Sequence, residues 1–242
     1  MSESEENSAS TFLVRRADER GISEFDWLKS RHSFSFANYY NPAHMGFRSL
    51  RVINDDIVAP GSGFETHPHD NMEIFSYVID GALEHKDSMG NGRIIQAGEF
   101  QYMSAGEGIT HSEFNPSQTE HVNFLQVWIE PNVRGGTPRY EDRKPDTRAE
   151  VNGLTLLASD NGRGASISIR QQAEIYFGNL SAGASKDVEL DEPLAHAWLQ
   201  LVQGRLRIDN EILYRGDGAS VTNGNVTITA DEASTLFLLK LN

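Results

Sequence analysis

Short apolar runs separated by turn residues recur along most of this chain. Val, Ile, Leu, Phe and Tyr fill the runs, as in LRVIND, FSYVIDG, VNFLQVWIEP and STLFLLKL, and Gly, Asn, Asp and Pro separate them. Many short strands at this spacing are typical of a β-sandwich or a β-barrel. The pattern therefore predicts an all-β protein. A helix is expected only at an edge, around Ser23 to Lys29, where Ser23 could cap a first turn.

One strand-turn-strand pattern occurs twice. The segment IFSYVIDGALEH, with its turn at Gly81, resembles AWLQLVQGRLRI, with its turn at Gly204. Each is followed by a strand that enters a second glycine turn, at Gly98 in the first copy and at Gly216 in the second. Two copies of one supersecondary unit predict two similar β-barrels in tandem.

The composition along the chain predicts where these barrels begin and end. Residues 1–10 are polar and acidic with almost nothing apolar to bury, so we expect a disordered tail. The first barrel is expected over residues 11–134 and the second over residues 151–242. Gly, Pro and charged residues replace the apolar pattern between them, so residues 135–150 are expected to be a linker.

The overall composition excludes several classes of protein. The 242 residues carry a net charge of −14 and show no basic cluster, which argues against direct binding to nucleic acid. No apolar run is long enough to span a membrane, and the start of the chain is acidic, unlike a signal peptide. We therefore expect a cytoplasmic protein without membrane contact. The absence of cysteine leaves histidine and carboxylate side chains as the plausible metal ligands.

Two pairs of such side chains share one spacing. His67 and His69 flank a proline, and His111 and Glu113 are likewise two residues apart. On a strand, side chains two apart point to one face, with α-carbons roughly 7 Å apart. The first pair alone is more typical of exposed loop histidines. Two such strands facing into one small barrel, however, could bring three imidazoles and a carboxylate to one ion, a donor set that suits Fe(II) and, less selectively, Mn, Cu or Ni.

Three longer motifs resemble those of the pirin family, in its bacterial, quercetin 2,3-dioxygenase-like branch. They are WLKSRHSFSFANYYNPAHMGFRSLRVIND, HPHDNMEIFSYVIDGALEHKDSMGN and GEGITHSEFN. The resemblance implies a bicupin, that is, two tandem cupin barrels of the double-stranded β-helix (jelly-roll) type. It also implies one metal in the first barrel, bound at His67, His69, His111 and Glu113. We expect one divalent transition metal, Fe(II) first, with Cu, Ni, Mn, Co and Zn as alternatives.

Two residues near these motifs qualify the resemblance. Glu73 lies four residues after His69, so strand parity allows it to face the same interior as Glu113. The family pattern favours Glu113 as the fourth ligand, and Glu73 then becomes a supporting acceptor or a residue paired elsewhere in the barrel. Many family members have Arg where this chain has Asp70, which changes the charge beside the site without removing a ligand.

The repeat offers an internal comparison for the ligand positions. Counting from the paired glycines without gaps, none of the three histidine positions keeps its imidazole in the second copy. The counterparts of His67, His69, His111 and Glu113 are then Leu190, Glu192, Thr229 and Asp231. This loss favours a metal role for the histidines of the first copy over a role in folding.

The other histidines are assigned no chemistry. His32 and His44 lie among aromatic residues that could line a pocket for a flat ligand, although a packed aromatic core explains those rings better. We expect His85 and His121 at solvent-facing strand ends, and His196 in a structural role.

The resemblance implies a metal-dependent oxidoreductase that cleaves a flavonol such as quercetin with O2, so a flavonol-like aromatic substrate and O2 are the expected partners. Metal binding would lower the pKa of the flavonol hydroxyl, and Glu113 would accept its proton. Two alternatives use the same ligands. One is a regulatory or redox-sensing pirin without turnover, and the other is a cupin enzyme that uses its metal as a Lewis acid without O2.

Overall fold

The computed structural model describes residues 11–144, 152–222 and 224–242, and it is built from β-strands. The predicted tail at residues 1–10 lies outside the described residues. Two short 3-10 helices, Ala17–Glu19 and Arg163–Ala165, join the strands. Neither helix of the described part is long or apolar enough to cross a membrane. The strands are β1 Thr11–Arg15, β2 Gly21–Glu24, β3 Leu28–His32, β4 Leu50–Val58, β5 Gly63–His69, β6 Glu73–Asp80, β7 Ala82–Asp87, β8 Gly92–Gln96, β9 Phe100–Ser104, β10 Ile109–Phe114, β11 Val122–Ile129, β12 Arg139–Arg143, β13 Leu154–Ser159, β14 Ile167–Ser168, β15 Ala173–Leu180, β16 Ser185–Val188, β17 His196–Gln203, β18 Arg205–Ile208, β19 Glu211–Tyr214, β20 Gly218–Thr222, β21 Val226–Ala230 and β22 Ser234–Leu241.

The edge helix expected around Ser23 to Lys29 is wrong, because a β-hairpin occupies that segment. Strands β2 and β3 pair antiparallel, and two backbone hydrogen bonds between Phe25 and Leu28 close the turn. Leu28, Ser30 and His32 are buried, and the residues between them are more exposed. This alternation has a period of two, which fits a strand and not a helix.

One compact unit comprises residues 18–144 and 158–171 of the described chain. It contains a seven-stranded sheet in the order β12-β9-β6-β11-β4-β3-β2 and a four-stranded sheet in the order β5-β10-β7-β8. Every pairing in these two sheets is antiparallel. A cluster of buried apolar side chains that includes Val58, Val78, Leu83 and Phe124 forms part of its core.

A second compact unit comprises residues 11–17, 152–157 and 172–242 of the described chain, apart from residue 223. Its strands follow the order β1-β20-β17-β22-β15 in one sheet and β16-β21-β18-β19 in the other. Strand β1 comes from the start of the chain and pairs antiparallel with β20. The interior is apolar, and Leu199, Leu201, Leu206 and Leu236 are among its fully buried residues.

The predicted barrel bounds, 11–134 and 151–242, stay a prediction. Two observations bear on their edges. Strand β1, at residues 11–15, belongs with the strands of the second half of the chain. Strand β12 lies within the predicted 135–150 linker and pairs with β9.

The repeat is visible in the hydrogen bonds around its glycines. Gly98 donates its backbone N–H to the Val78 carbonyl at 2.8 Å, and Gly216 donates to the Leu201 carbonyl at 2.9 Å. The accepting residue precedes the first glycine turn by three positions in both copies. At Gly81, φ is +78°, and a Cβ would lie 2.7 Å from the His121 carbonyl oxygen. The predicted all-β bicupin fold is confirmed.

Strand pairing corrects the ungapped alignment of the two copies. Four residues after the first glycine of each copy lie His85 and Ile208, and their Cα partners on the next strand are Glu113 and Ile228. The counterpart of Glu113 is therefore Ile228, and the expected counterpart Asp231 is wrong. The loops of the two copies differ in length, so counting in sequence does not preserve the register.

The same register gives the counterparts of the histidines. Val226 precedes Ile228 by two residues, as His111 precedes Glu113, so Thr229 is also wrong as a counterpart. His67 pairs with His111, and Val188 pairs with Val226. Leu190 then corresponds to His69 and not to His67, and Glu192 is excluded. The second barrel thus fills all four positions with buried apolar side chains, namely Val188, Leu190, Val226 and Ile228.

Candidate metal centre

Two paired strands bring three imidazoles together. Strands β5 and β10 run antiparallel with His111 directly opposite His67, and His69 lies two residues further along β5. The ring centroids are 4.5 Å apart for His67 and His111, 4.7 Å for His67 and His69, and 4.9 Å for His69 and His111. One ring nitrogen from each lies within 4.8 Å of the other two. The three histidines expected from the sequence therefore converge on one point.

The unpaired ring nitrogens of this cluster fit a bound cation. The Nε2 atoms of His69 and His111 are buried and have no hydrogen-bond partner. Burial, together with the neighbouring imidazoles, lowers the pKa of His69 to about 4 and the pKa of His111 to about 3. Both rings are therefore neutral near pH 7, with a lone pair free for a metal. Two buried nitrogens without partners would be costly in a site that binds nothing.

In His67 and His111, polar contacts at Nδ1 leave Nε2 as the ring nitrogen available to a metal. His67 Nδ1 donates to the Glu65 carbonyl at 2.7 Å. His111 Nδ1 lies 3.5 Å from His85 Nδ1, and His85 Nε2 lies 3.3 Å from Asp87 Oδ2. Such outer contacts fix the orientation of a histidine ligand in metal sites.

His85 is the residue of this site that the sequence interpretation missed. We expected it at a solvent-facing strand end, but its side chain is fully buried and stacks on Tyr140 at 4.6 Å between ring centroids. The sequence signal that could have shown its burial is the alternation along β7, where Leu83 and His85 point to the same buried face. His121, which received the same expectation, is exposed.

Glu113 is held by three side chains of the barrel. Its Oε1 accepts hydrogen bonds from Ser76 Oγ at 3.1 Å and Gln101 Nε2 at 2.7 Å, and its Oε2 accepts one from Gln126 Nε2 at 2.8 Å. A carboxylate offers about four acceptor positions. One position therefore remains at Oε2 for a metal or a proton. A Glu113 oxygen lies within 4.8 Å of ring nitrogens of His85 and His111, in a group that does not include His67 or His69.

Glu73, the competing carboxylate, is engaged elsewhere in the same unit. It is 1% exposed and accepts hydrogen bonds from the Tyr102 hydroxyl, from Ser104 Oγ at 2.6 Å and from the Arg170 backbone N–H at 3.1 Å. It belongs to neither group of potential metal ligands found among the described residues. Strand parity counted from His69 does not extend to Glu73, because residues 70–72 lie outside β5 and β6. Within β6, Ser76 lies three positions after Glu73 and reaches Glu113, so Glu73 points to the opposite face of the strand.

A cavity of about 800 Å³ opens beside the imidazoles, and His67, His69 and Glu113 contribute to its wall. Six aromatic residues contribute to its lining, namely Phe25, Trp27, Phe36, Phe64, Phe114 and Trp128. The Trp128 ring lies 4.9 Å from His69, and Phe36 packs edge-on against Trp128 at 5.4 Å. The aromatic residues that follow His32 thus serve both as pocket lining and as packed core. Phe36 lines the cavity, whereas Phe34 is buried at 3% exposure.

Polar side chains from adjacent strands form another part of the wall. His32, Asn54 and Gln126 lie side by side on β3, β4 and β11. His32 Nδ1 donates to Asn54 Oδ1 at 2.7 Å, and His32 Nε2 pairs with Ser23 Oγ at 2.9 Å. His32 is therefore part of the cavity wall, although we had assigned it no chemistry, and hydrogen bonds occupy both of its ring nitrogens.

Asp56 adds an ionisable group to this wall. It is 2% exposed, and its Oδ1 has no hydrogen-bond partner. Burial raises the pKa of Asp56 to about 7; the Ser30 hydroxyl opposes the shift, whereas the charges of Asp55 and Glu113 add to it. The folded protein therefore binds this proton more tightly than the unfolded chain. Its free energy of unfolding should decrease as pH rises from about 4 to about 7 and then level off.

Replacing Asp56 with asparagine should remove this pH dependence. We expect the variant to gain stability over the parent protein by about 2 kcal/mol on going from pH 5.5 to pH 8, because a shift of one pKa unit corresponds to about 1.4 kcal/mol. Urea unfolding of both metal-free proteins at the two pH values measures the effect. A difference that does not change with pH would show that Asp56 titrates normally.

Comparison with known proteins places the chain in a family. Residues 14–129 match the family model described as Pirin, and residues 156–241 match the model described as Quercetinase C-terminal cupin domain. A protein of Escherichia coli strain K12 named quercetin 2,3-dioxygenase is 45% identical over 232 residues, covering 94% of this chain and 97% of the relative.

Solved structures agree with this assignment. The crystal structure of YhhW from Escherichia coli superposes with a TM-score of 0.92 at 43% identity, covering 96% of this chain and 98% of that one. A second structure, of the bacterial pirin YhhW in complex with nickel(II), gives a TM-score of 0.90 at 43% identity and covers 96% and 99% of the two chains. By its sequence and its fold, this chain belongs to the pirin family.

Proposed function

We propose that this chain is a metal-dependent dioxygenase that opens the central ring of a flavonol such as quercetin with O2. The observation that carries the proposal is the set of three imidazoles, with unpaired buried Nε2 atoms on two of them, beside an aromatic-lined cavity of about 800 Å³. A cavity of this size and lining is typical of a small-molecule site. The Escherichia coli relative named quercetin 2,3-dioxygenase supports the same substrate class.

The proposed metal ligands are His67, His69, His111 and Glu113. The free acceptor position at Glu113 Oε2, on the same strand as His111, supports the carboxylate as fourth ligand. Imidazole and carboxylate ligands suit several first-row divalent metals, so the donor set alone does not choose among them. Fe(II) remains our expectation, and the nickel(II) complex of the Escherichia coli pirin makes nickel the first alternative.

The walls of the cavity would hold and orient the flat substrate. Trp128 and Phe36 lie at the edge next to His69, and Trp27 and Phe64 form an edge-to-face pair at 5.1 Å. Aromatic side chains bury a large apolar area and favour stacked or edge-on contacts with another ring. Such contacts would place the hydroxyl and carbonyl end of a flavonol beside the imidazoles and exclude water from it.

Glu113 is the proposed proton acceptor. A bound divalent metal would lower the pKa of a coordinated flavonol hydroxyl, as it does for bound water. The one acceptor position left at Glu113 Oε2 would serve in turn: it would face the metal in the resting protein and would take the proton once the flavonol replaces the carboxylate as ligand. Gln101, Gln126 and Ser76 hold the carboxylate in place, so it needs no rearrangement to accept the proton. The deprotonated flavonol is electron-rich enough to react with O2. The carbon that bore the hydroxyl would leave as carbon monoxide with its own oxygen, and each of the two carbons that flanked it would gain one oxygen atom of O2. One of these carbons would become the carbonyl of an ester to the original ring oxygen, and the other would become a carboxylate.

An aerobic and anaerobic comparison tests this proposal. The protein is stripped of metal, reconstituted separately with Fe(II), Ni(II), Mn(II), Co(II), Cu(II) and Zn(II), and incubated with quercetin in air and under nitrogen. We expect loss of the flavonol absorption band and release of carbon monoxide in air only, with at least one of these metals.

Two other results would contradict the proposal in different ways. Quercetin that binds without being consumed in air, with any of the metals, would favour a regulatory role. Equal loss of the flavonol band under nitrogen would indicate chemistry that does not use O2.

A further inference from the structure

Two polar atoms of the cavity wall are buried without a partner. Of the described residues that line the cavity, only His69 and Asp56 have a buried side-chain nitrogen or oxygen that lacks a hydrogen bond, at Nε2 and Oδ1 respectively. His69 Nε2 points to the proposed metal. Asp56 Oδ1 is left without a role in the proposed reaction.

The position of Asp56 makes it part of the cavity and not of the metal cluster. It lies on β4 with Ser30 of β3 on one side and Phe124 of β11 on the other. It is two residues from Asn54, which also lines the cavity. Asp56 belongs to neither group of potential metal ligands found in the described part of the chain.

The neighbouring polar groups leave Asp56 Oδ1 without a donor. The Ser30 hydroxyl hydrogen-bonds the Asp56 side chain, but Oδ1 stays unpartnered, and the other neighbours are already engaged. His32 uses both ring nitrogens, on Asn54 and on Ser23. Gln126 uses its amide nitrogen on Glu113, and its oxygen accepts the Trp128 indole N–H at 3.0 Å. A hydrogen-bond donor for Asp56 Oδ1 would therefore come from the contents of the cavity.

We propose that Asp56 is the specificity-determining residue of this cavity and that it accepts a hydrogen bond from a ring hydroxyl of a polyhydroxylated aromatic substrate, distinct from the hydroxyl that reaches the metal. The inference deepens the proposed function, and it rests on it for the class of substrate. A phenolic O–H is a strong donor and fits beside aromatic walls. A carboxylate oxygen buried without a donor is costly, as Oδ1 of Asp56 is, and burial raises the pKa of Asp56 although the Ser30 hydroxyl opposes the shift.

The consequence is selection against aromatic ligands that lack the hydroxyl. An analogue without it would occupy the cavity but leave Asp56 Oδ1 buried and unpaired. Sites that use a buried polar group in this way discriminate more strongly than apolar pockets do. The probe pair is therefore quercetin and 3-hydroxyflavone, because 3-hydroxyflavone keeps the hydroxyl expected at the metal and lacks the ring hydroxyls.

The experiment measures binding without turnover. Trp27 and Trp128 line the cavity, so quenching of tryptophan fluorescence reports on occupancy. Metal-free full-length protein is titrated with each probe at pH 8. We expect quercetin to bind about 10- to 100-fold more tightly than 3-hydroxyflavone, the range given by one hydrogen bond to a charged group.

Variants at and beside Asp56 test the assignment. In Asp56→Leu the preference for quercetin should fall to within about 3-fold, with 3-hydroxyflavone bound at least as tightly as before. Asp56→Asn keeps the shape and an acceptor oxygen, so it should show an intermediate preference even if the leucine variant folds poorly. The control is Asp55→Asn on the same strand; Asp55 pairs with Arg20 and Asn123, does not line the cavity, and should leave the preference unchanged.

Several outcomes would overturn the inference without touching the proposed function. These are equal binding of the two probes by the parent protein, a preference that survives in both Asp56 variants, and equal weakening of both probes in both variants. The experiments can also reject the proposed function while the role of Asp56 stands. If the metal-loaded protein consumes no quercetin in air but the preference depends on Asp56, the dioxygenase proposal fails and the specificity role stands.

Discussion

Replacing Glu113 with glutamine is expected to lower flavonol turnover by roughly 10²- to 10⁴-fold, the usual contribution of general acid-base catalysis, while most of the metal stays bound. Glutamine keeps an oxygen ligand of similar size but removes the basic group. The measurement is the steady-state rate of quercetin loss in air, divided by the metal content of the folded protein. Full activity in a metal-replete variant would refute the role of Glu113 as base.

The rate must be divided by the amount of folded, metal-loaded protein because the substitution disturbs the hydrogen bonds around Glu113. Three donors, from Ser76, Gln101 and Gln126, now surround the carboxylate. A glutamine there must turn its NH2 group toward Gln101 or toward Gln126, and an unsatisfied buried donor costs about 1–3 kcal/mol. The variant should therefore be less stable, and its rate has to be compared at equal amounts of folded, loaded protein.

Glu73→Gln is the matched control. Glu73 is also a buried carboxylate of the same unit with three hydrogen-bond donors, but it lies away from the imidazoles. We expect a comparable loss of stability with little change in metal content or in turnover per folded protein. The opposite result, with turnover lost in Glu73→Gln and kept in Glu113→Gln, would make Glu73 the functional carboxylate.

Replacing His111 with alanine is expected to weaken metal binding by more than about 100-fold, because even the loss of an outer contact to a ligand can cost about 10- to 100-fold. The parent protein should bind one transition-metal ion per chain, since the second barrel has apolar residues at the corresponding positions. Elemental analysis after reconstitution and gel filtration measures both quantities. His67→Ala should behave in the same way.

His196→Ala is the control for the histidine variants. His196 lies on β17, and its Nδ1 is 3.4 Å from Thr222 Oγ1. We expect this variant to keep its metal. Equal metal loss from all three histidine variants, or two ions per chain in the parent protein, would mean that the site is misplaced.

The sequence was sufficient for those parts of the protein that depend on local pattern. The alternation of apolar and polar residues predicted strands, because side chains on a strand alternate between two faces. The glycines of the repeat were recognisable because their turns need positive φ. At Gly81, a Cβ would also lie only 2.7 Å from the His121 carbonyl oxygen. The spacing of His67 and His69 placed both on one strand face. These inferences needed no knowledge of which strands are neighbours.

The errors arose where the partner strand decides the outcome. His85 was expected to face solvent, yet β7 pairs with β10, and this pairing buries His85 beside His111. Parity counted from His69 could not separate Glu73 from Glu113, because residues 70–72 interrupt the strand and the alternation of faces starts anew at β6. The counterparts of the ligands in the second copy were shifted because loop length, which pattern does not fix, sets the register.

Local pattern was thus enough to predict the fold class, the repeat and the two-residue spacing of the potential ligands. All three follow from backbone geometry within one strand or one turn. Only the folded structure reveals that β5 lies against β10, so that His67 faces His111, and that Glu113 has one acceptor position left. The same is true of Asp56, which is buried in a cavity wall without a partner for Oδ1. These features depend on contacts between residues far apart in the chain, and only the pairing of distant strands in the folded barrel creates them.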